Sequence, residues 1–160
     1  MGYTTDFHGS ITIDPPCNME EIEYINRFSS TRRMKRKSGP YTALPGSDGF
    51  GQDRSEDILE YNAPPPEQPS LWCHWVVDDT GTRIEWDGGE KFYEAAEWMQ
   101  YVIDHFLRPA AIAQAELPFL QANHTCNGEI EAQGEEYEDR WLLVVENNRV
   151  GTKAGRVVYE

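Results

Sequence analysis

The sequence predicts an α+β domain in which an antiparallel or mixed sheet of about five to six strands carries two main helices on one face. Strand-like segments outnumber helices, and several are joined by turns too short for a parallel connection. Strands and helices also fail to alternate as a doubly wound fold requires. The 160 residues suit a single domain spanning 1–160, and a hydrophobic share of 39%, to which 13 glycines are added, is normal for a globular core.

The N-terminal third predicts one strand followed by one helix. Residues 3–13 alternate between apolar and polar side chains, which indicates a half-buried strand, and Pro15 and Pro16 end it. Asn18 followed by Glu21 resembles a capping box, so a helix is expected from there to about residue 30. Its apolar stripe consists of Ile22, Ile25 and Phe28.

Residues 38–70 predict a long irregular insertion. Six prolines and four glycines fall within this stretch, and a regular element is expected only around 55–61. A loop of this length inside a domain is usually a binding loop or a partly disordered insertion.

The remainder of the chain predicts a hairpin, a long helix and three closing strands. Strands 71–77 and 82–86 should form the hairpin, with Trp75 opposite Ile84. An apolar stripe indicates a helix over roughly 89–107. The closing strands are expected at 126–133, 140–146 and about 149–159, with a tight turn at Asn147 and Asn148.

The charge balance limits the classes of partner. Twenty-eight acids against 14 bases give a net charge of −14, which disfavours general binding to nucleic acids or anionic membranes. No apolar run reaches the roughly 20 residues that span a bilayer, and the N-terminus lacks the pattern of a signal peptide. Three cysteines without a Cys-x-x-Cys pair indicate free thiols in a reducing cytoplasm. Glycine and histidine spacings match no common nucleotide or metal motif, so we expect neither a cofactor nor a metal.

A basic cluster interrupts this acidic chain. Five cations occupy six positions at 32–37, which leaves a net charge of −19 on the other 154 residues. Arginine forks, backbone N–H groups and an aromatic plane suit a phosphate, so the segment 32–41 is a candidate anion site. The alternative is a solvated helix end whose cations pair with the protein's own acids. The candidate binding residues are Arg32, Arg33, Lys35, Arg36 and Tyr41.

The outer face of the hairpin is the second candidate site. The expected register places His74 across from Glu85, where a carboxylate could orient an imidazole. An ordinary surface ion pair explains the same pattern. Because no nucleophile or metal ligand joins the set, catalysis is not expected. The candidate residues are Trp72, His74, Arg83 and Glu85.

An acid-rich region suggests a third hypothesis for the function. Its surface would imitate a phosphate backbone, or the protein would be a passive structural subunit. Solubility alone explains most acidic faces. The acids concerned are Glu90, Glu94, Glu97, Glu129, Glu131, Glu135, Glu136, Glu138 and Asp139.

Several sequence motifs resemble those of a family of small proteins of actinobacteria and their bacteriophages. The run Ile84–Tyr93, reading IEWDGGEKFY, is the most specific of them, and STRRM at 30–34 and LWCHW at 71–75 support it. The resemblance covers roughly residues 1–146. It implies an intracellular, phage-associated protein, and it carries no catalytic residue because no activity is established for that family.

These observations predict a non-enzymatic cytoplasmic binding protein, a phage-associated accessory factor that engages a host or phage protein. The alternatives are binding of a phosphorylated small molecule through 32–41, and an acidic mimic of DNA or structural subunit.

Overall fold

The computed structural model describes residues 4–43 and 57–154. A six-stranded antiparallel sheet with the order β4-β5-β1-β6-β7-β8 is joined by a small second sheet of β2 and β3. The strands are β1 Asp6–Asp14, β2 Lys35–Arg36, β3 Ile58–Glu60, β4 Trp75–Val77, β5 Arg83–Trp86, β6 Thr125–Gln133, β7 Arg140–Glu146 and β8 Arg149–Ala154. The helices are α1 Met19–Ser29 and α2 Ala95–Val102, and α2 continues as a π-helical turn over Ile103–Leu107 before a 3-10 turn at Ile112–Ala115.

The structure confirms the predicted α+β class. One face of the sheet and both helices share a single core cluster of buried side chains. Those of the sheet include Ile11, Trp75, Ile84, Ile130 and Leu143, and those of the helices include Ile25, Phe28, Trp98, Met99 and Val102. Within the described ranges, no helix combines the length and apolar composition that crossing a bilayer requires.

The structure confirms the predicted capping box near the N-terminus and the predicted tight turn near the C-terminus. Asn18 and Glu21 form the expected capping box, with hydrogen bonds of 2.8 and 3.0 Å. Asn147 and Asn148 both have positive φ in the turn between β7 and β8. The predicted strand over 149–159 is present to Ala154, and its remaining residues lie outside the described ranges.

The hairpin register differs from the prediction by two residues. Trp75 pairs with Trp86 rather than with Ile84, and the residue that pairs with Ile84 is Val77. The cause is Asp78, whose backbone N–H donates to the Arg83 carbonyl at 3.0 Å and whose carboxylate accepts the N–H of Thr82 at 3.1 Å. The loop therefore spans residues 79–82. A shift of two preserves which face each side chain occupies, because strand side chains alternate with a period of two.

Two other predicted boundaries are wrong. The stretch 71–77 is a strand only from Trp75. Helix α2 begins at Ala95 rather than near residue 89, because Lys91 and Glu94 have φ of 57° and 59° and such left-handed backbone cannot continue a right-handed helix.

Helix α1 covers the free edge of β4. The Asn26 side chain accepts the N–H of Val77 at 2.8 Å and donates to the Val77 carbonyl at 3.0 Å. The Ser29 hydroxyl donates to the Trp75 carbonyl at 2.6 Å. Side chains of a helix thus satisfy edge groups that another strand would otherwise pair.

Candidate anion-binding site

The basic segment folds back on the insertion instead of extending into solvent. Lys35 pairs with Glu60 and Arg36 with Ile58 in the small sheet of β2 and β3. Strand β3 lies within the 55–61 stretch, where a regular element was expected; residues 44–56 of the insertion lie outside the described ranges. The five cations consequently face very different surroundings.

Arg33 is an internal residue with 0% exposure. Its guanidinium donates to the Phe28 carbonyl at 3.1 Å, to the Pro40 carbonyl at 3.0 Å and to the Gln68 side-chain oxygen at 3.3 Å. Burial lowers the pKa of Arg33 to about 10, and the neighbouring Tyr24 opposes this shift. Because its donors are engaged inside the protein, Arg33 supports the site and does not line it.

Arg33 and Gln68 together fix the Pro40–Tyr41 turn. The Gln68 amide donates to the Pro40 carbonyl at 2.7 Å and to the Tyr101 hydroxyl at 3.0 Å. The Tyr24 hydroxyl donates to the Tyr41 carbonyl at 2.6 Å. This network holds Pro40 in place as one wall of a pocket.

The Tyr41 side chain contacts His105, in the π-helical turn that continues α2. Its hydroxyl lies 2.7 Å from Nδ1 of His105, and burial raises the pKa of Tyr41. His105 stacks on Tyr101 with ring centroids 3.8 Å apart, and burial lowers the pKa of His105 despite the opposing charge of Glu67.

Two half-buried cations of the segment have partners at the surface. The Arg32 guanidinium lies 4.4 Å from the ring centroid of Tyr61, and its Nη2 is 3.3 Å from the Asn62 side-chain oxygen. Lys35 forms an ion pair with Glu60 at 3.6 Å. Lys35 thus pairs with one of the protein's own acids, as the alternative interpretation expects.

Arg36 differs from the others because it is buried and incompletely bonded. The residue is 5% exposed, and its Nε and Nη2 have no hydrogen-bond partner among the residues that the structure describes. Burial lowers the pKa of Arg36, while the negative charge of Asp57 partly offsets that effect. A buried donor without an acceptor costs free energy, so this arrangement requires an explanation.

The Arg36 side chain lines a pocket of about 390 Å³ with largely apolar walls. The other lining residues are Lys35, Gly39, Pro40, Leu59, Pro65, Pro66 and Glu67. Nε and Nη2 share one edge of the guanidinium plane, the edge that can bind both oxygens of a carboxylate or phosphate. The pocket thus places Arg36 beside apolar surface, and its volume falls in the range of small-molecule sites.

The outer hairpin face does not assemble as predicted. With the observed register, Glu85 lies opposite Val76, and His74 contacts Asp87, whose two carboxylate oxygens are each 3.1 Å from Nδ1. Arg83 is exposed and pairs with Thr12 of β1. Trp72 is half-buried, and its carbonyl accepts the Ser70 hydroxyl at 3.3 Å. The structure thus places His74 beside the carboxylate of Asp87, whereas the sequence predicted that of Glu85.

The acidic residues of β6 lie on the outer face of the sheet. Glu129 and Glu131 are exposed, and their partners on β1 are Ser10 and His8. Arg140 of β7 lies 3.6 Å from Glu131. A cation therefore lies beside one of the two carboxylates on this face.

Sequence reasoning missed four residues that line the pocket, Leu59, Pro65, Pro66 and Glu67, and it missed Gln68, which holds Pro40. The triple proline at 64–66 was a signal for a rigid wall, but only the fold brings it to Arg36.

Comparison with protein-family models, with curated proteins and with solved structures finds no match to this chain.

Proposed function

We propose that this chain is a non-enzymatic binding protein that holds a small organic anion, a phosphate or a carboxylate attached to an apolar body, in the pocket beside Arg36. The observation that carries the proposal is the Nε and Nη2 edge of Arg36, a residue that is 5% exposed, for which residues 4–43 and 57–154 supply no hydrogen-bond partner. An oxyanion would satisfy both donors at once.

The walls of the pocket favour a ligand with one charged end. Pro40, Leu59, Pro65 and Pro66 offer apolar surface for the body of the ligand. The exposed Glu67 also lines the pocket, and its charge disfavours molecules with several negative groups. A flat apolar body that carries a single phosphate or carboxylate therefore fits best.

The test uses phenyl phosphate, benzoate and inorganic phosphate as probes, with binding followed by the NMR signal of the Arg36 Nε–H. We expect both aromatic probes to shift that signal in a saturable manner and inorganic phosphate to bind more weakly. Comparing the two aromatic probes distinguishes phosphate from carboxylate recognition. Substitution Arg36→Met should weaken binding at least about tenfold, equivalent to about 1.4 kcal/mol.

Lys37→Met is the matched control, because it removes one positive charge from an exposed side chain next to Arg36 in sequence. It should change the affinity by less than about twofold, as expected for a screened surface charge. Equal losses in R36M and K37M would mean non-specific attraction and would contradict the proposal.

Engagement of a host or phage protein is a second candidate, in keeping with the resemblance to phage-associated proteins. Leu59 and Tyr61 are 60% and 44% exposed beside Arg32, and an exposed aromatic residue next to an arginine is typical of protein interfaces. On this proposal the protein acts in the cytoplasm, where its three free, buried thiols suit a reducing environment.

One purification from host cells separates the two candidates. Mass spectrometry of retained proteins and small molecules is compared for the wild type, R36M, Tyr61→Ser and Tyr137→Ser. The small-molecule function predicts a ligand that R36M loses, and the protein-binding function predicts a partner that Y61S loses. Tyr137 is the control, because it is 62% exposed and also lies near an arginine, Arg140, in another part of the fold.

A further inference from the structure

A buried cluster of three different metal-ligating side chains lies between α1 and β6. Cys17 precedes α1, Glu21 is in its first turn, and His124 precedes β6. One ligand atom from each of them lies within 4.8 Å of those from the other two. The exposure of Cys17 is 5%, and Glu21 and His124 are 0% exposed.

The backbone around each member of the cluster is fixed. The N–H of Cys17 donates to the Gly81 carbonyl at 2.9 Å, and the N–H of His124 donates to the Leu107 carbonyl at 3.0 Å. Glu21 is held by the capping box at the start of α1. Distant parts of the chain therefore present the three side chains to one point.

The orientation of His124 is typical of a metal-ligating imidazole. Its Nδ1 lies 2.6 Å from the Pro15 carbonyl, and because a carbonyl can only accept, Nδ1 carries a hydrogen. Ligating histidines commonly donate their outer N–H to a backbone carbonyl in this way. The other nitrogen, Nε2, faces the Glu21 carboxylate at 2.9 Å.

The hydrogen bonds describe an ion pair in the metal-free protein. Since Nε2 faces a carboxylate, it carries a proton as well, and the ring is an imidazolium. Burial disfavours this charge, but the hydrogen bonds to Glu21 and Pro15 outweigh burial and raise the pKa of His124. Burial raises the pKa of the Cys17 thiol.

We propose that Cys17, Glu21 and His124 form a binding site for a zinc ion. The mixture of one thiolate, one imidazole and one carboxylate suits zinc and does not suit magnesium or calcium, which prefer oxygen ligands alone.

Charge balance supports a divalent ion at this buried point. Without metal, the neutral thiol, the imidazolium and the carboxylate sum to zero. Binding of Zn²⁺ displaces one proton from Cys17 Sγ and one from His124 Nε2, and both leave to solvent. The bound site contains a 2+ ion, a thiolate, a neutral imidazole and a carboxylate, which again sum to zero. A buried site therefore exchanges two protons for a dication without gaining net charge, which avoids the large cost of burying one.

The geometry requires adjustment in both directions, because ligand atoms that are up to 4.8 Å apart must approach by about 1 Å while the closest pair separates. Zinc bonds of about 2.0–2.3 Å in a tetrahedral arrangement place ligand atoms somewhat more than 3 Å apart. The 2.9 Å separation between Glu21 Oε2 and His124 Nε2 would then open by roughly half an ångström. The backbone N–H groups of Asn18 and Gln121 already donate to the two Glu21 oxygens and would keep the carboxylate oriented.

The competing explanation is that Glu21 and His124 form a structural ion pair and that Cys17 is an unrelated buried thiol. The two explanations differ in the role of sulfur. A zinc site needs the Cys17 thiolate, whereas the ion pair between Glu21 and His124 forms without it.

Cobalt substitution tests for the thiolate directly. The full chain is stripped with a chelator and titrated with Co²⁺, and the near-ultraviolet absorption of a cobalt–thiolate bond is recorded. We expect one cobalt per chain, displacement of cobalt by zinc, and two protons released per metal ion bound. Cys17→Ser should abolish the thiolate absorption and weaken zinc binding at least about tenfold.

Cys73→Ser is the matched control, because Cys73 is an equally buried free thiol whose sulfur faces the Trp75 carbonyl instead of this cluster. It should leave the absorption unchanged. Wild-type protein that binds cobalt without thiolate absorption, or C17S that retains the wild-type absorption, would overturn the proposal. If C17S fails to fold, Glu21→Gln provides the second test, and zinc affinity unchanged in E21Q would equally overturn it.

Discussion

The guanidinium of Arg33 lies 3.9 Å from the ring centroid of Phe28 and is closed off from solvent by the loop that it supports. Its hydrogen-bond partners are neutral: two backbone carbonyls and one amide oxygen. The cation is thus compensated by dipoles and by the aromatic face. Arg33 and Arg36 are three residues apart, and the first builds the pocket that the second lines.

Arg33→Ala should destabilise the protein strongly. It removes a desolvated cation–π contact, worth up to about 2 kcal/mol, and leaves the Pro40 carbonyl and the Gln68 side chain short of a donor. The expected loss of unfolding free energy is about 3–5 kcal/mol, measured by urea denaturation. Arg32→Ala is the control, since this half-buried arginine rests on Tyr61 and should cost about 1 kcal/mol or less. Similar losses for the two variants would contradict an internal role for Arg33.

Arg36→Met should stabilise the ligand-free protein. The substitution keeps an unbranched side chain and removes the buried Nε and Nη2, which lack partners in the part of the chain that the structure describes. We expect the unfolding free energy to rise by about 1–2 kcal/mol, because an unsatisfied buried donor costs an amount of this order. The same urea titration measures it. A loss of more than about 1 kcal/mol would indicate that Arg36 has a structural role.

His105 should make stability fall in mildly acidic solution. Burial lowers the pKa of His105 from 6.5, so the unfolded chain binds this proton more tightly than the folded protein. The contribution of His105 to the free energy of unfolding is therefore fully present above the pKa that this residue has in the unfolded chain. It decreases as the pH falls below that value. Denaturation curves collected across that range should show a shallower decline for His105→Gln than for the wild type.

Tyr41→Phe is a useful comparison for the His105 experiment. It removes the hydroxyl beside Nδ1 of His105 but leaves the His105 imidazole stacked on Tyr101. Because burial is the main cause of the pKa shift, the pH dependence should persist in Y41F. An identical slope in H105Q and the wild type would assign the decline to other groups.

Gly81→Ala should be far more harmful than Gly88→Ala. Both glycines have positive φ, 75° and 87°, so alanine at either position incurs backbone strain of about 1 kcal/mol. A Cβ on Gly81 would lie 2.4 Å from the Cys17 carbonyl oxygen, whereas one on Gly88 would meet nothing within 4 Å. We expect losses of about 3 kcal/mol or more for G81A and about 1 kcal/mol for G88A, measured by thermal unfolding. Equal losses would show that the loop moves away from Cys17 at little cost.

Sequence patterns predicted the elements whose causes are local. The alternation in β1, the capping box at Asn18 and the paired asparagines at 147–148 each act within a few residues, so periodicity and capping rules identify them. The predicted hairpin register was wrong because the Asp78 carboxylate accepts the N–H groups of Thr82 and Arg83 at the end of the loop, an interaction that alternation of apolar residues does not encode.

The candidate sites were harder to predict, for a physical reason. The cluster of cations at 32–37 was visible in the sequence, but its members differ in burial, and burial depends on residues 57–68 folding against them. Arg33 and Arg36 are alike in sequence and opposite in role. Cys17, Glu21 and His124 show no metal-binding spacing, because His124 reaches the other two only through the packing of α1 against the end of the sheet.

The side chains of α1 that bind β4 have a consequence for growth of the sheet. An open edge strand can template a strand from another molecule, and aggregation often begins in this way. Because Asn26 occupies both the N–H and the carbonyl of Val77 at this edge, an incoming chain would have to displace a helix before it could pair there. The other edge strand of the sheet is β8, where the Gln100 side chain of α2 accepts the N–H of Val150 at 2.9 Å and the exposed cations Arg149 and Lys153 would repel an identical strand aligned in register.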